Sequence, residues 1–242
     1  MLKKKSFLLF FLCSIFASCI TQNETPKELK VKEIIEEKNV SLLEVSELLE
    51  EHAQLEFIDI MNWDAFSYRP EVSFRIAHAN NQIWLKYYVV EKNILAQVDT
   101  VNGSVSGDSC VEFFFDPRAD GNYYNFEFSC IGMPHLAYGP GRGKREFVNE
   151  ELLKSEISVS SSLGHEPFIE KTGGHSWEMT LVIPASILVA DEGIQLKGLK
   201  TKANFYKCGD KTSEPHYLSW NSVGTEKPDF HRPEYFGTLV FE

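Results

Sequence analysis

Cysteine, positive charge and long apolar runs are all scarce in this sequence. Five cysteines in 242 residues are too few for a disulfide scaffold. The 24 lysines and arginines are outnumbered by 35 acidic residues, for a formal charge of -11, which argues against a protein that coats nucleic acid. No βαβ alternation, glycine-rich phosphate loop or internal repeat is visible. Hydrophobic residues make up 43% of the chain and aromatic residues 13%, so the chain can bury a substantial core.

The N-terminus has the pattern of an export signal. Lysines at positions 3 to 5 precede an apolar run from Phe7 to Phe16, which is shorter than the roughly 20 residues of a membrane-spanning helix. The run leads into Ala-Ser-Cys at positions 17 to 19, which resembles a bacterial lipobox with Phe16 where leucine is usual. We predict a signal peptide over residues 1–18 and lipidation of Cys19. The protein would then be an exported cell-envelope lipoprotein, periplasmic or facing the outer membrane, held to the membrane by its lipid chains alone. An ordinary cleaved signal with an unmodified Cys19 is the alternative.

The remaining sequence divides into a tether and one β domain. Residues 19–40 are polar and charged, as in a spacer between a membrane and a domain. Ser41 and Glu44 form a capping-box pattern, so we predict a helix over residues 42–52 at the start of a domain spanning 41–242.

Beyond Leu55, apolar residues recur with a period of two, which predicts many short strands. The clearest strands are 72–76, 82–90, 177–183 and 237–241, and the clearest turn signals are 80–81, 139–141 and 173–174. The fold class is therefore all-β: an antiparallel, jelly-roll-like β-sandwich with one N-terminal helix.

A central hairpin is the richest stretch of the domain. Placing Asp120-Gly121 at a two-residue turn predicts that Phe113 lies opposite Phe128. One face of the hairpin is then wholly apolar, while the other carries Glu112, Asp116, Asn125 and Glu127. Solvent exposure is as good an explanation of that polar face as ligand binding.

The same register separates Cys110 and Cys130 onto opposite faces, which argues against a disulfide between them. Cys208 has no second cysteine at metal-ligand spacing, and no His/Cys cluster indicates zinc. An odd number of cysteines after the signal region leaves at least one thiol free.

Five ordered segments over roughly Leu55 to Glu242 resemble carbohydrate-binding module family 9, in its single-domain bacterial form. They are Asp108–Asp116, Asn125–Phe128, Asn204–Tyr206, Leu218–Trp220 and Pro233–Leu239. The resemblance implies a β-sandwich that binds poly- or oligosaccharides without cleaving them, in support of carbohydrate catabolism. In that family two tryptophans clamp the sugar and charged side chains hydrogen-bond it.

Carried onto this chain, the resemblance implies that Trp220 is one clamp residue and Glu112 an acidic ligand contact. Ser106 stands where the second clamp tryptophan is expected, and Glu127 where the family uses an arginine. The residue types add further candidates, because pyranoses stack on aromatic rings and bond to planar polar groups. The predicted carbohydrate site comprises Trp220, Glu112, Glu127, Asn125, Tyr138 and Arg142.

Replacement stacking platforms could be Tyr138, His216 or Tyr217, and the cationic cluster Arg142, Lys144 and Arg145 would suit an acidic sugar such as a uronate. A mobile glycine-rich surface loop is the alternative explanation of that cluster. Trp63, Trp84 and Trp177 are predicted core residues, and His231 a structural hydrogen-bonding residue.

Other functions remain open. Glu112 and Glu127 could form the carboxylate pair of a glycoside hydrolase, and a haem- or metal-binding relative could use His78, His135, His165, His175, His216 or Met133. The module could also have kept its fold while losing sugar affinity. No cofactor is indicated apart from a structural calcium ion, for which the acidic loop 116–120 offers oxygen donors. We expect a carbohydrate ligand, a monomer and no nucleic-acid partner.

Overall fold

The computed structural model describes residues 25–35 and 40–242; the predicted signal peptide and Cys19 lie outside them. Two α-helices lie among many strands. The helices are α1 (Leu42–His52) and α2 (Glu150–Glu156). The strands are β1 (Glu28–Glu33), β2 (Leu55–Phe57), β3 (Ile60–Met61), β4 (Glu71–Ala79), β5 (Gln82–Ala96), β6 (Cys110–Asp116), β7 (Tyr123–Ser129), β8 (Pro134–Gly139), β9 (Glu146–Phe147), β10 (Ser158–Ser161), β11 (Phe168–Pro184), β12 (Lys200–Cys208), β13 (Tyr217–Ser219) and β14 (Gly237–Phe241). Among these described residues, none of the helices has the length and apolar character needed to cross a membrane.

The strands form two layers of a β-sandwich, which confirms the predicted fold class. One layer has the order β10-β11-β5-β4, and the other has the order β14-β12-β6-β7-β8-β9. Nearly all pairings are antiparallel, but β1 is parallel to both of its neighbours. The four strands predicted most clearly correspond to β4, β5, β11 and β14.

Strand β1 joins the two layers and corrects the predicted tether. Its first half pairs with β14 and its second half with β4. Leu29, Val31 and Ile34 are buried, whereas Lys30 and Lys32 point outward. The predicted boundary at residue 41 is therefore wrong for 28–35, because the period-two pattern of Leu29 and Val31 is that of a half-buried strand.

The local signals around α1 are confirmed in detail. Ser41 Oγ accepts the Glu44 backbone N–H, and Glu44 in turn accepts the Ser41 backbone N–H at 2.8 Å. Val45 and Leu49 are buried and belong to the same cluster as Trp84. The second helix, α2, was not predicted; Asn149 caps it by accepting two backbone N–H groups.

Of the predicted turns, the one at residues 80–81 is confirmed and the one at residues 173–174 is wrong. Asn80 and Asn81 both have positive φ and close the tight turn between β4 and β5, as expected. Gly173 and Gly174 instead lie within β11, where the register to β5 shifts.

The central hairpin has its predicted faces but not its predicted register. Phe113 lies opposite Phe126, and Glu112 lies directly opposite Glu127, so the predicted pairing is wrong by two residues. The cause is a longer loop: Asp116 accepts the backbone N–H groups of Asp120 and Gly121, at 3.2 and 2.8 Å, which draws residues 117–122 into the turn. A shift of two keeps every side chain on its own face, so the apolar face still packs between the layers.

The main core lies between the two layers and is rich in stacked aromatic rings. Phe205 stacks on Phe74 from the opposite layer, with ring centroids 3.9 Å apart, and on Phe113 of the neighbouring strand at 4.9 Å. The predicted core tryptophans Trp84 and Trp177 are each 1% exposed, and Trp63 is buried in a second cluster.

That second cluster covers the outer face of the hairpin layer, so the face is not solvated. Phe114 and Tyr206 point outward from the sheet and pack beneath loop residues that include Phe230 and Phe236. Glu112, Asn125 and Glu127 are each at most 6% exposed. Buried polar side chains of this kind need hydrogen-bond partners, which either the protein or a bound ligand supplies.

Candidate functional site

A polar pocket with a volume of about 170 Å³ lies between the outer face of the hairpin layer and the covering loops. Acidic, basic, imidazole, hydroxyl and aromatic side chains all reach it. Its lining consists of Ser104, Ser106, Glu112, Glu127, His135, Arg142, Arg145, Cys208, Asp210, Tyr217, Pro228, Asp229, Phe230 and His231.

A row of side chains across three neighbouring strands forms the floor. Glu112 on β6 is opposite Glu127 on β7, and Glu127 is opposite His135 on β8. Residues that face each other across antiparallel strands point to the same side of the sheet. The register alone therefore brings two carboxyl groups and an imidazole to one place.

Glu112 is the most strongly perturbed carboxyl group of the pocket. Burial raises its pKa well above the usual value, and the nearby charge of Glu127 raises it further. The Cys208 thiol donates to Glu112 Oε1 at 3.0 Å. The raised pKa favours the protonated form, and a protonated carboxyl group can donate a hydrogen bond to a ligand.

Glu127 has a different set of neighbours. Asn125 Nδ2 donates to Glu127 Oε1 at 2.8 Å, and Arg145 Nη1 lies 3.9 Å from the same oxygen. Both neighbours are hydrogen-bond donors that face this oxygen, so the Glu127 carboxyl group serves as an acceptor. The two opposed glutamates therefore offer a ligand one donor and one acceptor.

His135 carries an unfilled hydrogen-bonding position. Its Nδ1 lies 2.9 Å from the Gly103 carbonyl oxygen, so Nδ1 bears the proton. The Nε2 atom is buried without a hydrogen-bond partner, and Glu127 Oε1 is 3.9 Å away. In the neutral ring Nε2 is an acceptor, so the site lacks a donor such as a hydroxyl group.

The loop after β8 supplies the arginines. Gly139 has φ +152°, and a side chain there would clash with the Lys144 carbonyl oxygen, so only glycine allows the loop to fold back. This brings Arg145, half-buried, beside Glu127, while the exposed Arg142 lies 3.8 Å from Asp229.

His231 belongs to the wall, where it is held in the neutral form. Burial, followed by the charge of Arg145, lowers its pKa to about 3. Arg145 donates to its Nε2 at 3.5 Å, so Nδ1 carries the proton toward the Tyr123 hydroxyl oxygen at 2.8 Å. Its bonding is structural, as predicted, but the residue also faces the pocket.

Tyr217 and Phe230 are the aromatic rings of the pocket. Trp63 packs edge-on against Tyr217 at 6.2 Å between centroids and at a tilt against Phe230 at 5.9 Å. Tyr217, a predicted replacement platform, is half-buried and lines the pocket. His216, the other candidate on this segment, is buried and bonds to Lys207 and the Glu214 carbonyl oxygen.

Trp220 does not reach the pocket, which corrects its prediction as an exposed clamp. It is 1% exposed in the main core, edge-on to Phe205, and its Nε1 donates to Glu56 at 2.9 Å. Tyr138 also points away from the pocket and packs on Tyr124 at 4.5 Å. Side-chain alternation explains this, because Tyr138 is three residues beyond the pocket residue His135.

Of the predicted site residues, Glu112, Glu127 and Arg142 line the pocket, and Asn125 supports it from behind. Ser106, where a clamp tryptophan was expected, lines it with a small side chain. Several lining residues were not predicted as carbohydrate contacts: Ser104, His135, Cys208, Asp210, Pro228, Asp229 and Phe230. Of these, His135 was predicted only as a candidate haem or metal ligand. These residues lie far apart in the chain, so only a correctly predicted strand register could have indicated that they come together.

The candidate ligands of metals and haem are dispersed. In the acidic loop proposed for calcium, the Asp116 carboxylate is occupied by two backbone N–H groups. His78 lies on β4, and its Nε2 bonds to the Glu242 carbonyl oxygen. His135 lies on β8, which is far from β4 in the order of strands, so the two imidazole rings do not form one site. The three cysteines of the described residues are free, and Cys110 lies directly opposite Cys208.

A β-sandwich that presents carboxyl, guanidinium and aromatic groups in a pocket on one sheet face defines a ligand-binding module. The chain belongs to carbohydrate-binding family 9, whose family model matches residues 44–241. None of the curated proteins matches the chain.

Solved structures agree with that family. A proposed carbohydrate-binding protein from Bacteroides uniformis ATCC 8492 is 42% identical, with a TM-score of 0.86, over 90% of this chain and all (100%) of its own. Two structures of a family 9 module from Caldicellulosiruptor kristjanssonii share the fold. The complex with glucose is 10% identical with a TM-score of 0.53 over 89% of this chain and 96% of its own. The complex with cellotriose is 12% identical with a TM-score of 0.54 over 89% and 94%.

Proposed function

We propose that the pocket binds one neutral sugar unit of a poly- or oligosaccharide and does not cleave it. The observation that carries this proposal is the row of Glu112, Glu127 and His135, with His135 Nε2 buried and unpartnered. A sugar ring offers several hydroxyl groups that both donate and accept, and so complements a row that presents one donor and two acceptors. Membership of a carbohydrate-binding family supports the same ligand class.

The pocket size and aromatic rings support a single sugar unit. A volume of about 170 Å³ is small beside the about 300–1,000 Å³ of sites for drug-sized ligands. Tyr217 lies in the wall, where the C–H face of a pyranose could stack. A longer chain would extend from the pocket over the exposed Arg142.

The charges favour a neutral sugar over the uronate considered above. Arg145 lies 3.9 Å from Glu127, and Arg142 lies 3.8 Å from Asp229. Each arginine thus faces a carboxylate already, and the pocket offers no surplus positive charge to an anionic sugar.

Calorimetric titration of glycans into the mature chain, with Cys19 replaced by serine, tests the proposal. We expect neutral mono- or oligosaccharides to bind, and Glu127→Gln to weaken binding by about 10- to 100-fold, the value of a hydrogen bond to a charged group. Glu112→Gln exchanges one neutral group for another and should weaken binding by about 2- to 10-fold, the value of a neutral hydrogen bond. Glu150→Gln is the matched control, because Glu150 is exposed on α2, where its carboxylate lies 3.7 Å from the exposed Lys154. Binding by no glycan, or equal binding by all variants, would contradict the proposal.

Glycoside hydrolysis is a second candidate because Glu112 has a raised pKa and directly faces Glu127. The same glycans are therefore incubated with the protein and assayed for new reducing ends. If reducing ends are released, and Glu112→Gln abolishes this release while Glu150→Gln retains it, the protein cleaves glycans and the proposal of binding without cleavage is wrong.

We propose further that the protein is an exported, monomeric lipoprotein that retains glycans at the cell envelope for breakdown. The signal pattern and Cys19 support this placement. Fractionation of cells should find the natural chain with membranes and the Cys19→Ser variant in the soluble fraction. Light scattering should give the mass of one chain. Equal membrane association of both chains would argue against lipidation.

A further inference from the structure

Two cysteines and a glutamate meet at the inner end of the pocket. Cys110 and Glu112 are alternate residues of β6, so both point outward, and Cys208 on β12 lies directly opposite Cys110. One ligand atom from each of the three residues lies within 4.8 Å of the others. All three residues are at most 3% exposed.

This donor set is one that divalent zinc prefers. Thiolate sulfur binds Zn²⁺ at about 2.3 Å and carboxylate oxygen at about 2.0–2.2 Å, so tetrahedral ligand atoms lie roughly 3.5–3.8 Å apart. Cys208 Sγ and Glu112 Oε1 are already 3.0 Å apart, so the three side chains need only small rotations to surround an ion.

The surroundings favour a cation at this position. Four carboxyl groups line the same pocket as Cys208, against two arginines. The carboxyl groups are those of Glu112, Glu127, Asp210 and Asp229, and the arginines are Arg142 and Arg145. A metal ion bound here would displace the protons of the Cys110 and Cys208 thiols. The unpartnered Nε2 of His135, buried in the same pocket, is an independent sign that a ligand is missing.

We propose that Cys110, Glu112 and Cys208 bind Zn²⁺ with three protein ligands and leave a fourth position open to the pocket. Two of the three, Glu112 and Cys208, line that pocket, so water or a ligand can reach the ion. This proposal does not depend on sugar binding: Glu112 would be a carboxylate ligand in the zinc-loaded chain, and its role as a hydrogen-bond donor to a sugar belongs to the metal-free chain. Its test is carried out without sugar, so either proposal can fail alone.

Cobalt titration of the mature chain, with Cys19 replaced by serine, reads the site directly. The protein is prepared with a non-thiol reductant and freed of metal, and Co²⁺ is added as a spectroscopic substitute for Zn²⁺. We expect one Co²⁺ per chain, thiolate-to-cobalt charge-transfer absorption, and loss of that absorption when Zn²⁺ is added.

Alanine variants locate the ligands. Cys110→Ala and Cys208→Ala should each weaken Co²⁺ binding by at least about 100-fold, more than the loss of an outer-shell partner does. Cys130→Ala is the matched control: Cys130 is also buried and free but lies in the main core. Glu112→Gln should weaken binding while retaining the thiolate absorption, which tests the site in a variant that keeps both cysteines.

Three results would overturn the proposal. One is the lack of thiolate absorption in the unsubstituted protein, and another is absorption that survives in both pocket-cysteine variants. The third is a Cys110–Cys208 disulfide in protein isolated from cells without reductant, since the opposed cysteines would then be consumed by oxidation.

Discussion

At the scale of single residues, Glu112 concentrates the unusual chemistry of the pocket. Its carboxyl group is buried, lies opposite Glu127 on the neighbouring strand and accepts a hydrogen bond from the Cys208 thiol. Because its pKa is raised on folding, the folded chain holds a proton that the unfolded chain releases above its ordinary pKa of 4.5.

That proton makes stability depend on pH in a defined direction. Above pH 4.5 the unfolded state binds fewer protons than the folded state, so the free energy of unfolding falls as pH rises toward the folded pKa, by up to about 1.4 kcal/mol per pH unit. Glu112→Gln should remove this slope and become relatively more stable at higher pH. Urea unfolding at a series of pH values measures it, with Glu150→Gln as control; parallel curves for all three proteins would contradict the assigned proton.

Substitutions of the two aromatic candidates, Tyr217 and Trp220, should affect different quantities: sugar affinity for Tyr217 and the free energy of unfolding for Trp220. Tyr217→Ala should lower sugar affinity by about 2- to 12-fold, equivalent to about 0.5–1.5 kcal/mol for an aromatic contact. Trp220→Phe should instead lower the free energy of unfolding by about 1–3 kcal/mol and leave affinity unchanged, because Trp220 lies in the main core. Calorimetry and urea unfolding on the same samples check both; reduced affinity in a folded Trp220→Phe would restore Trp220 to the site.

At the scale of elements, β1 holds the edges of the two layers together. It is the shared neighbour of β14 and β4, and it lies in a segment that composition alone assigns to a tether. Leu29 is 5% exposed, whereas Ile35 just beyond the strand is 89% exposed. The two residues are thus a natural pair for testing whether the segment is structural.

Leu29→Ala should destabilise the domain by about 2 kcal/mol or more, since it removes buried methylene and methyl groups from a packed core. Ile35→Ala should change stability by no more than about 0.5 kcal/mol, as is usual for surface positions. Thermal or urea unfolding of the two variants beside the unsubstituted chain gives the comparison. Equal, negligible effects would mean that the segment behaves as a tether after all.

The elements also show which features were predictable from sequence. Helix α1, the layers and the apolar hairpin face follow from periodicity and capping, which are local. The hairpin register was wrong because the Asp116 side chain bonds to the loop, and β1 was missed because charged lysines flank its two buried residues. Trp220 looked exposed beside Ser219 and Asn221, but its burial depends on Phe205 and Gly237, which pack on it from other strands.

Part of the site was predictable for the same reason. Glu112, Asn125 and Glu127 share a face by alternation within one hairpin. His135, Tyr217 and Asp229 reach the pocket only through the order of strands and the path of the covering loops. Such long-range placement has no local signal in a single sequence.

At the scale of the whole molecule, the chain carries a formal charge of -11. The two arginines of the pocket do not offset this charge for a ligand, because each already faces a carboxylate. A neutral sugar should therefore bind with an affinity that changes by no more than about twofold between roughly 0.05 and 0.5 M salt, because no net charge is brought together and screened. A polyuronate should bind more weakly than its neutral counterpart at low salt, and the difference should narrow as salt screens the repulsion. Calorimetric titration of matched neutral and acidic oligosaccharides across that range measures both effects. Tighter binding of the uronate at low salt, lost as salt rises, would show that Arg142 and Arg145 are available to an anionic ligand.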